Sequence, residues 1–248
     1  MRHAAHIISF MRIPRSHSWD LDTKQARELQ SRLSFKVIRC NSGMNVKLIA
    51  GIDVSVSRLS KAGRAAVVVL SYPELELCEI SVAEGDIDFP YIPGLLSFRE
   101  APLALRAWQR LKSRPDLLMV DGQGIAHPRR LGIASHLGLL LDVPAIGCAK
   151  SRLIGTHDAL PEKAGNYRLL RDKNEIIGAA VRTKHRVKPI YVSIGHRIDL
   201  DSAVLLVLEC CRGFRLPQPT RLAHIAAGGS SELPGYGYMD KKQKMRRR

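Results

Sequence analysis

Three carboxylates occupy positions where a sheet and a helix could bring them together. Asp53 lies inside Leu48-Ile49-Ala50-Gly51-Ile52-Asp53-Val54-Ser55-Val56. A period of two puts Leu48, Ala50, Ile52, Val54 and Val56 on one face of a strand, and Gly51, Asp53, Ser55 and Ser57 on the other. A mid-strand carboxylate needs a partner, a cation or water, and a solvated face would also satisfy it. Asp121 ends the apolar run Leu117-Leu118-Met119-Val120 and is followed by Gly122-Gln123-Gly124. Ligand sites of open α/β sheets gather at such carboxyl ends, although Asp-Gly is also a common turn. Glu100 closes Ser97-Phe98-Arg99-Glu100, an S-x-x-E pattern that a helix capping box would explain. A carboxylate early in a helix can still face the sheet. If they converge, the three make a hard oxygen cage for Mg²⁺ or Mn²⁺, and such an ion can activate water and neutralise a phosphodiester.

The elements that must position these residues follow from hydrophobic spacing. Ala26, Leu29 and Leu33, behind an Asp22/Thr23 start signal, predict an amphipathic helix over residues 19–33. Val-, Ile- and Leu-rich runs at 47–56, 64–72 and 75–82 predict an antiparallel meander. A proline-rich hinge at 90–94 precedes a helix over about 98–112, a strand at 117–120, a helix at 131–141 and a strand at 145–149. That alternation implies parallel strands. Three antiparallel strands followed by alternating helix and strand is the ribonuclease H-like order: an α/β fold with a mixed sheet flanked by helices. Strands near 176–182 and 190–194 and a helix at 200–211 continue the same body. The expected organisation is an N-terminal extension at 1–17, one catalytic domain at 18–227, and a Gly-rich then basic, disordered tail at 228–248.

Charge narrows the partner. Lys and Arg number 39 against 23 Asp and Glu, a net charge of +16. Six of the cations lie in the last eight residues, so the rest of the chain still carries +10. A polyanion is the natural ligand of such a surface. At 45% hydrophobic and 25% charged residues, the composition excludes intrinsic disorder. No apolar run approaches the ~20 residues of a membrane-spanning helix. Five cysteines without a C-x-x-C spacing argue against a zinc knuckle or disulfide framework, and place the chain in a reducing cytoplasm.

Pro90-Tyr91-Ile92-Pro93 offers a second kind of chemistry. Prolines on both sides stiffen the backbone, so the ring between them loses little entropy on entering a base stack. The other reading is a buried tyrosine in a tight turn. Lys112, Arg129, Arg130 and Arg221 could contact phosphates or simply be solvated.

The segments Phe89 to Glu100 (FPYIPGLLSFRE), Val120 to Arg129 (VDGQGIAHPR) and Ala149-Lys150-Ser151 closely resemble the endonuclease V family in its bacterial form. Gly51-Ile52-Asp53, Ser193-Ile194-Gly195-His196 and Pro219 to His224 extend the resemblance to about residues 19–226. It implies a ribonuclease H-like deoxyinosine 3′ endonuclease that reads hypoxanthine and cuts the second phosphodiester bond on its 3′ side, leaving 3′-hydroxyl and 5′-phosphate ends. By the same resemblance Asp53, Glu100 and Asp121 hold the metal directly or through water, with His224 nearby. Lys150 and His127 act at the scissile phosphate. Tyr91, braced by Pro90, Ile92 and Pro93, is the wedge, while Gly94, Leu96 and Gly122 line the base pocket; Arg129 and Arg221 contact the strand. The implied cofactor is Mg²⁺, with Mn²⁺ substituting, and the implied partner is deoxyinosine-containing DNA, with inosine RNA as the alternative. No membrane and no obligatory protein partner are implied. Competing readings are a relative acting on a junction or hybrid, and a non-catalytic nucleic-acid binder, which the presence of all three carboxylates disfavours.

Overall fold

Asp22 begins the first helix as its spacing predicts. In the computed structural model, which describes residues 13–14, 17–40, 43–57, 60–230 and 232–238, helix α1 spans Thr23–Ser34 behind a capping box of Asp22 and Gln25. The meander forms β1 (Leu48–Val56), β2 (Ala62–Ser71) and β3 (Leu77–Asp86), paired antiparallel in that order. Helix α2 (Leu96–Gln109) leads to β4 (Leu117–Val120), and α3 (Ile133–Leu141) to β5 (Ala145–Ala149). Strands β1, β4 and β5 are parallel neighbours, as expected.

Beyond β5 the parallel run ends. Strands β6 (Tyr167–Asp172), β7 (Glu175–Val181) and β8 (Ile190–His196) complete an eight-stranded sheet ordered β3-β2-β1-β4-β5-β8-β7-β6, and all pairings from β5 outward are antiparallel. Helices α4 (Leu200–Glu209) and α5 (Gln218–Ala227) follow.

Alternation along β1 divides the core. Ala50 and Ile52 face a layer containing Ala101, Trp108 and Leu137 of α2 and α3, while Ile49 faces Ala203, Leu222 and Ala226 of α4 and α5. Asp53 therefore lies on the α5 side of the sheet, and Glu100 enters from α2.

Three expectations change. First, α2 begins at Leu96 with Leu95 as its cap residue and no side-chain cap, so the capping box of Ser97 and Glu100 does not form; Ser97 is instead buried in the first turn. Second, residues 232–238 of the expected disordered tail form a hairpin, β9 (Glu232–Leu233) with β10 (Gly237–Tyr238), and bury Leu233 in the core. The basic run 241–248 lies outside the described residues. Third, part of the expected N-terminal extension joins the domain: Ile13 packs on the α2 and α3 layer, and the His17 ring stacks on buried His136 at 4.9 Å.

Candidate active site

Two aspartates stand side by side because their strands are parallel neighbours in register. Ile52 pairs with Val120, and the Asp121 N–H donates to the Ile52 carbonyl at 3.0 Å. Two residues before Asp53, Gly51 leaves room for the backbone of α5: a Cβ there would lie 1.9 Å from the Pro219 carbonyl oxygen. That close approach lets His224, further along α5, put Nδ1 2.6 Å from Asp53 Oδ2. Lys150, just past β5, places Nζ 2.5 Å from Asp121 Oδ2 and 3.3 Å from His224 Nδ1.

Among the described residues, Asp53, Asp121 and His224 are the one set of His, Cys, Asp and Glu whose donor atoms all lie within 4.8 Å of one another. Glu100 approaches from α2. Burial raises its pKa to about 8, with the charges of Asp53 and Asp121 adding to the rise and Arg99 opposing it. Burial, then Asp53, also raises Asp121, against Lys150 and His224. Carboxylates so crowded and desolvated are the donor set a divalent cation relieves, so the residues fit a metal centre.

A pH dependence follows for metal-free protein. Glu100 ionises less readily folded than unfolded, so its stabilising contribution is present below about pH 4.5 and is lost as pH rises through about 8. Buried His127 and His136, both held below the ordinary imidazole pKa, act in the opposite direction at acid pH. The expected result is therefore differential: in chelator, the melting temperature of wild type falls relative to Glu100→Gln as pH rises from 5 to 8.5. Parallel melting curves for the two proteins across that range would contradict the burial of Glu100.

Beside the carboxylates lies a cavity of about 290 Å³, whose wall includes Tyr91, Gly94, Leu96, Gly122 and Lys150 together with Glu100 and Asp121. Tyr91 is 68% exposed, which removes the buried-tyrosine reading. Gly94 has φ +79°, a left-handed conformation that favours glycine. Its carbonyl accepts from Arg129 Nη2 at 2.7 Å and lies 3.0 Å from His127 Nε2. Because the Arg129 N–H donates to His127 Nδ1 at 3.1 Å, the ring proton resides on Nε2 and is donated to Gly94. Burial, helped by Arg129, lowers the His127 pKa to about 4 and keeps the ring neutral. His127, expected at the scissile phosphate, lines the same cavity while its buried ring braces the Gly94 carbonyl.

Gln30 of α1 completes that brace, accepting from Arg129 Nε at 2.5 Å and donating to the Leu131 carbonyl at 2.6 Å. It was not among the predicted residues; the available signal was an amide beside Leu29 on the buried stripe of α1. Two of the other basic candidates make contacts within the protein. Arg130 pairs with Asp172 and Glu175, and Arg221 sits 4.0 Å over the Phe214 ring while donating to Gln218. Lys112 is exposed beyond the far end of α2. A wider depression of about 490 Å³ on edge strand β6, around Asp158, Tyr167 and Arg168, holds none of the predicted residues.

Comparison with known proteins places this geometry. The family model described as Endonuclease V matches residues 29–225. Endonuclease V of Dehalococcoides mccartyi (strain BAV1) is 53% identical over 217 residues, covering 88% of this chain and 97% of that protein. The crystal structure of an endonuclease V from Streptomyces avermitilis is similar at TM-score 0.80 and 37% identity, over 85% of this chain and 93% of that one. Endonuclease V of Ciona intestinalis, solved with a 24mer DNA containing an inosine followed by a ribo-adenosine, matches at TM-score 0.72 and 32% identity, over 81% of this chain and 94% of that one.

Proposed function

The chain belongs to the endonuclease V family, and from that premise we propose that it reads hypoxanthine in a DNA strand and hydrolyses the second phosphodiester bond on its 3′ side. The products are 3′-hydroxyl and 5′-phosphate ends. The observation that carries this reading is the single cavity lined both by Tyr91, Gly94 and Leu96 and by Glu100, Asp121 and Lys150. One strand can then present a base to one end and a phosphate to the other.

Asp53, Asp121 and His224 would hold the divalent cation, with Glu100 contributing directly or through water. When bound, the cation supplies an activated water and counter-charge for the phosphodiester. Lys150 Nζ, between Asp121 and His224, is placed to take a phosphate oxygen. Tyr91, stiffened by Pro90, Ile92 and Pro93, fills the gap left by the extruded base. The Leu96 N–H lies ahead of the first bond of α2, Phe98 N–H to Leu95 C=O. A backbone donor there suits the hypoxanthine oxygen and opposes the amino group of adenine, and Gly122 closes the other side. His127 and Arg129 act through Gly94, and Arg221 through Phe214.

The predominance of oxygen donors favours Mg²⁺, with Mn²⁺ substituting. The test is cleavage of matched strands carrying one inosine, as DNA and as RNA, with each metal or chelator. Nicking of the DNA at the second 3′ bond is expected in Mg²⁺ and Mn²⁺ and absent in chelator. Ca²⁺, larger and looser in coordination, should support binding with little turnover. Equal rates in Ca²⁺ and Mg²⁺, or nicking that ignores the inosine, would overturn the assignment.

Tyr91→Ala should lower the preference for an inosine strand over its adenine counterpart by roughly five- to more than a hundredfold, since base–aromatic stacking contributes about 1–3 kcal/mol. Single-turnover cleavage of both strands, with binding measured separately in Ca²⁺, checks it. An equal collapse on both strands would make Tyr91 a support of the catalytic fold instead.

A further inference from the structure

Lys150 follows Ala149, the last residue of β5 in the ladder with β8, yet its Nζ is held 2.5 Å from Asp121. A lysine on a flexible stem keeps such a position only if its backbone is fixed. Two side chains hold the backbone here. Gln123, next to Gly122 in the turn after Asp121, donates Nε2 to the Ser151 carbonyl at 2.8 Å. Arg215, on the connection between α4 and α5, donates Nη2 to the Lys150 carbonyl at 2.5 Å and to the Pro189 carbonyl at 2.8 Å, and Nε to the Lys188 carbonyl at 2.9 Å. The Arg215 carbonyl in turn accepts from buried Thr183 Oγ1 at 2.5 Å. Its neighbour Phe214 carries the Arg221 guanidinium, three residues before His224. One short connection therefore grips both the strand end that bears Lys150 and the helix that bears His224.

We infer that Arg215 is a positioning residue for hydrolysis, which together with Gln123 fixes the Lys150 backbone so that Nζ stays between Asp121 and His224. The inference rests on the reading of Lys150 as the group at the scissile phosphate. On a chain of net charge +16, an arginine near the site would ordinarily be assigned to DNA phosphates. Here the fork of the guanidinium meets three backbone carbonyls, a geometry that a lysine ammonium cannot reproduce although it keeps the charge. Arg215→Lys thus separates the two roles.

The experiment compares wild type, Arg215→Lys, Gln123→Leu, Lys150→Ala and the two double variants with Lys150→Ala. It measures single-turnover cleavage of an inosine strand in Mg²⁺ with enzyme in excess, binding in Ca²⁺, and thermal melting. Arg215→Lys should slow cleavage by about ten- to a hundredfold, as small misplacements of reacting groups do, with binding unchanged. Gln123→Leu should act in the same direction. In the Lys150→Ala background neither change should slow cleavage further, because residues acting as a unit are non-additive. A wild-type rate for Arg215→Lys, or the same fold-loss with and without Lys150, would overturn the inference, as would a loss of binding equal to the loss of rate. If Arg215→Lys does not fold, the Gln123→Leu pair decides by the same criteria. Wild-type cleavage by Lys150→Ala would instead refute the reading of Lys150 itself, and the inference with it.

Discussion

Asp121→Asn is expected to slow single-turnover cleavage of an inosine strand by about a thousandfold while leaving binding in Ca²⁺ nearly intact. The amide keeps the shape of the side chain, and the β1 and β4 pairing still holds residue 121 beside Asp53. What disappears is the negative charge that faces Lys150 at 2.5 Å and would bind the cation. Metal-assisted charge stabilisation contributes several kcal/mol to such reactions. A loss of about 4 kcal/mol corresponds to roughly three powers of ten in rate. Asp53→Asn should behave similarly, since it removes the charge beside His224. Rates within tenfold of wild type at saturating Mg²⁺ for either variant would show that these aspartates do not form the metal centre.

Gly51→Ala should damage stability and catalysis together, although residue 51 reaches no substrate. The added Cβ would meet Pro219 oxygen at 1.9 Å, carbon at 2.1 Å and Cα at 2.8 Å. These are backbone atoms, so no rotamer change relieves the contact and α5 must withdraw. Ordinary carbon contacts of about 3.5–4.0 Å require a displacement of over an ångström. Overpacking of this kind costs about 1–3 kcal/mol, or a melting temperature lower by roughly 2–12 °C in a chain of this size. His224 rides on α5, so its 2.6 Å contact with Asp53 opens as well. Cleavage at 20 °C, where the variant remains folded by circular dichroism, should fall about a hundredfold. Wild-type activity with a lowered melting temperature would mean that the place of His224 does not matter to the reaction.

Much of this architecture was legible in the chain because local pattern and tertiary role agree. The alternation around Asp53 gave the correct faces of β1, and the apolar runs at 117–120 and 145–149 coincide with β4 and β5. Failures occurred where tertiary packing overrides pattern. Strand β6, Tyr-Arg-Leu-Leu-Arg-Asp, is a charged edge strand without clean alternation, and reads as loop. Helix α5 begins with Gln-Pro-Thr-Arg, and its proline is compatible only with the first turn, so the helix is short and poorly signalled. The S-x-x-E pattern at Ser97 mimicked a cap because capping boxes are read from spacing alone, whereas the turn at Pro93–Gly94 starts the helix earlier. In the site, the carboxylates were visible as oddities in apolar surroundings. Gln30, Gln123 and Arg215 were not, because bonds to backbone carbonyls distant in the chain leave no mark in residue type or spacing. Arg215 in particular is one of 39 basic residues.

The seating of α5 on β1 has a consequence for when the activity can arise. Asp53 and His224 are 171 residues apart, and the contact between them closes one of the longest loops in the molecule. During synthesis the β1 to β3 meander can pair as soon as it leaves the ribosome, since its contacts are local. A nascent chain that stops short of α5 has its aspartates and Arg215 but lacks His224 and the helix that covers Gly51. With His224 in the role proposed above, strand cutting is expected only once translation has passed residue 227, and a chain ending before α5 should leave an inosine strand uncut.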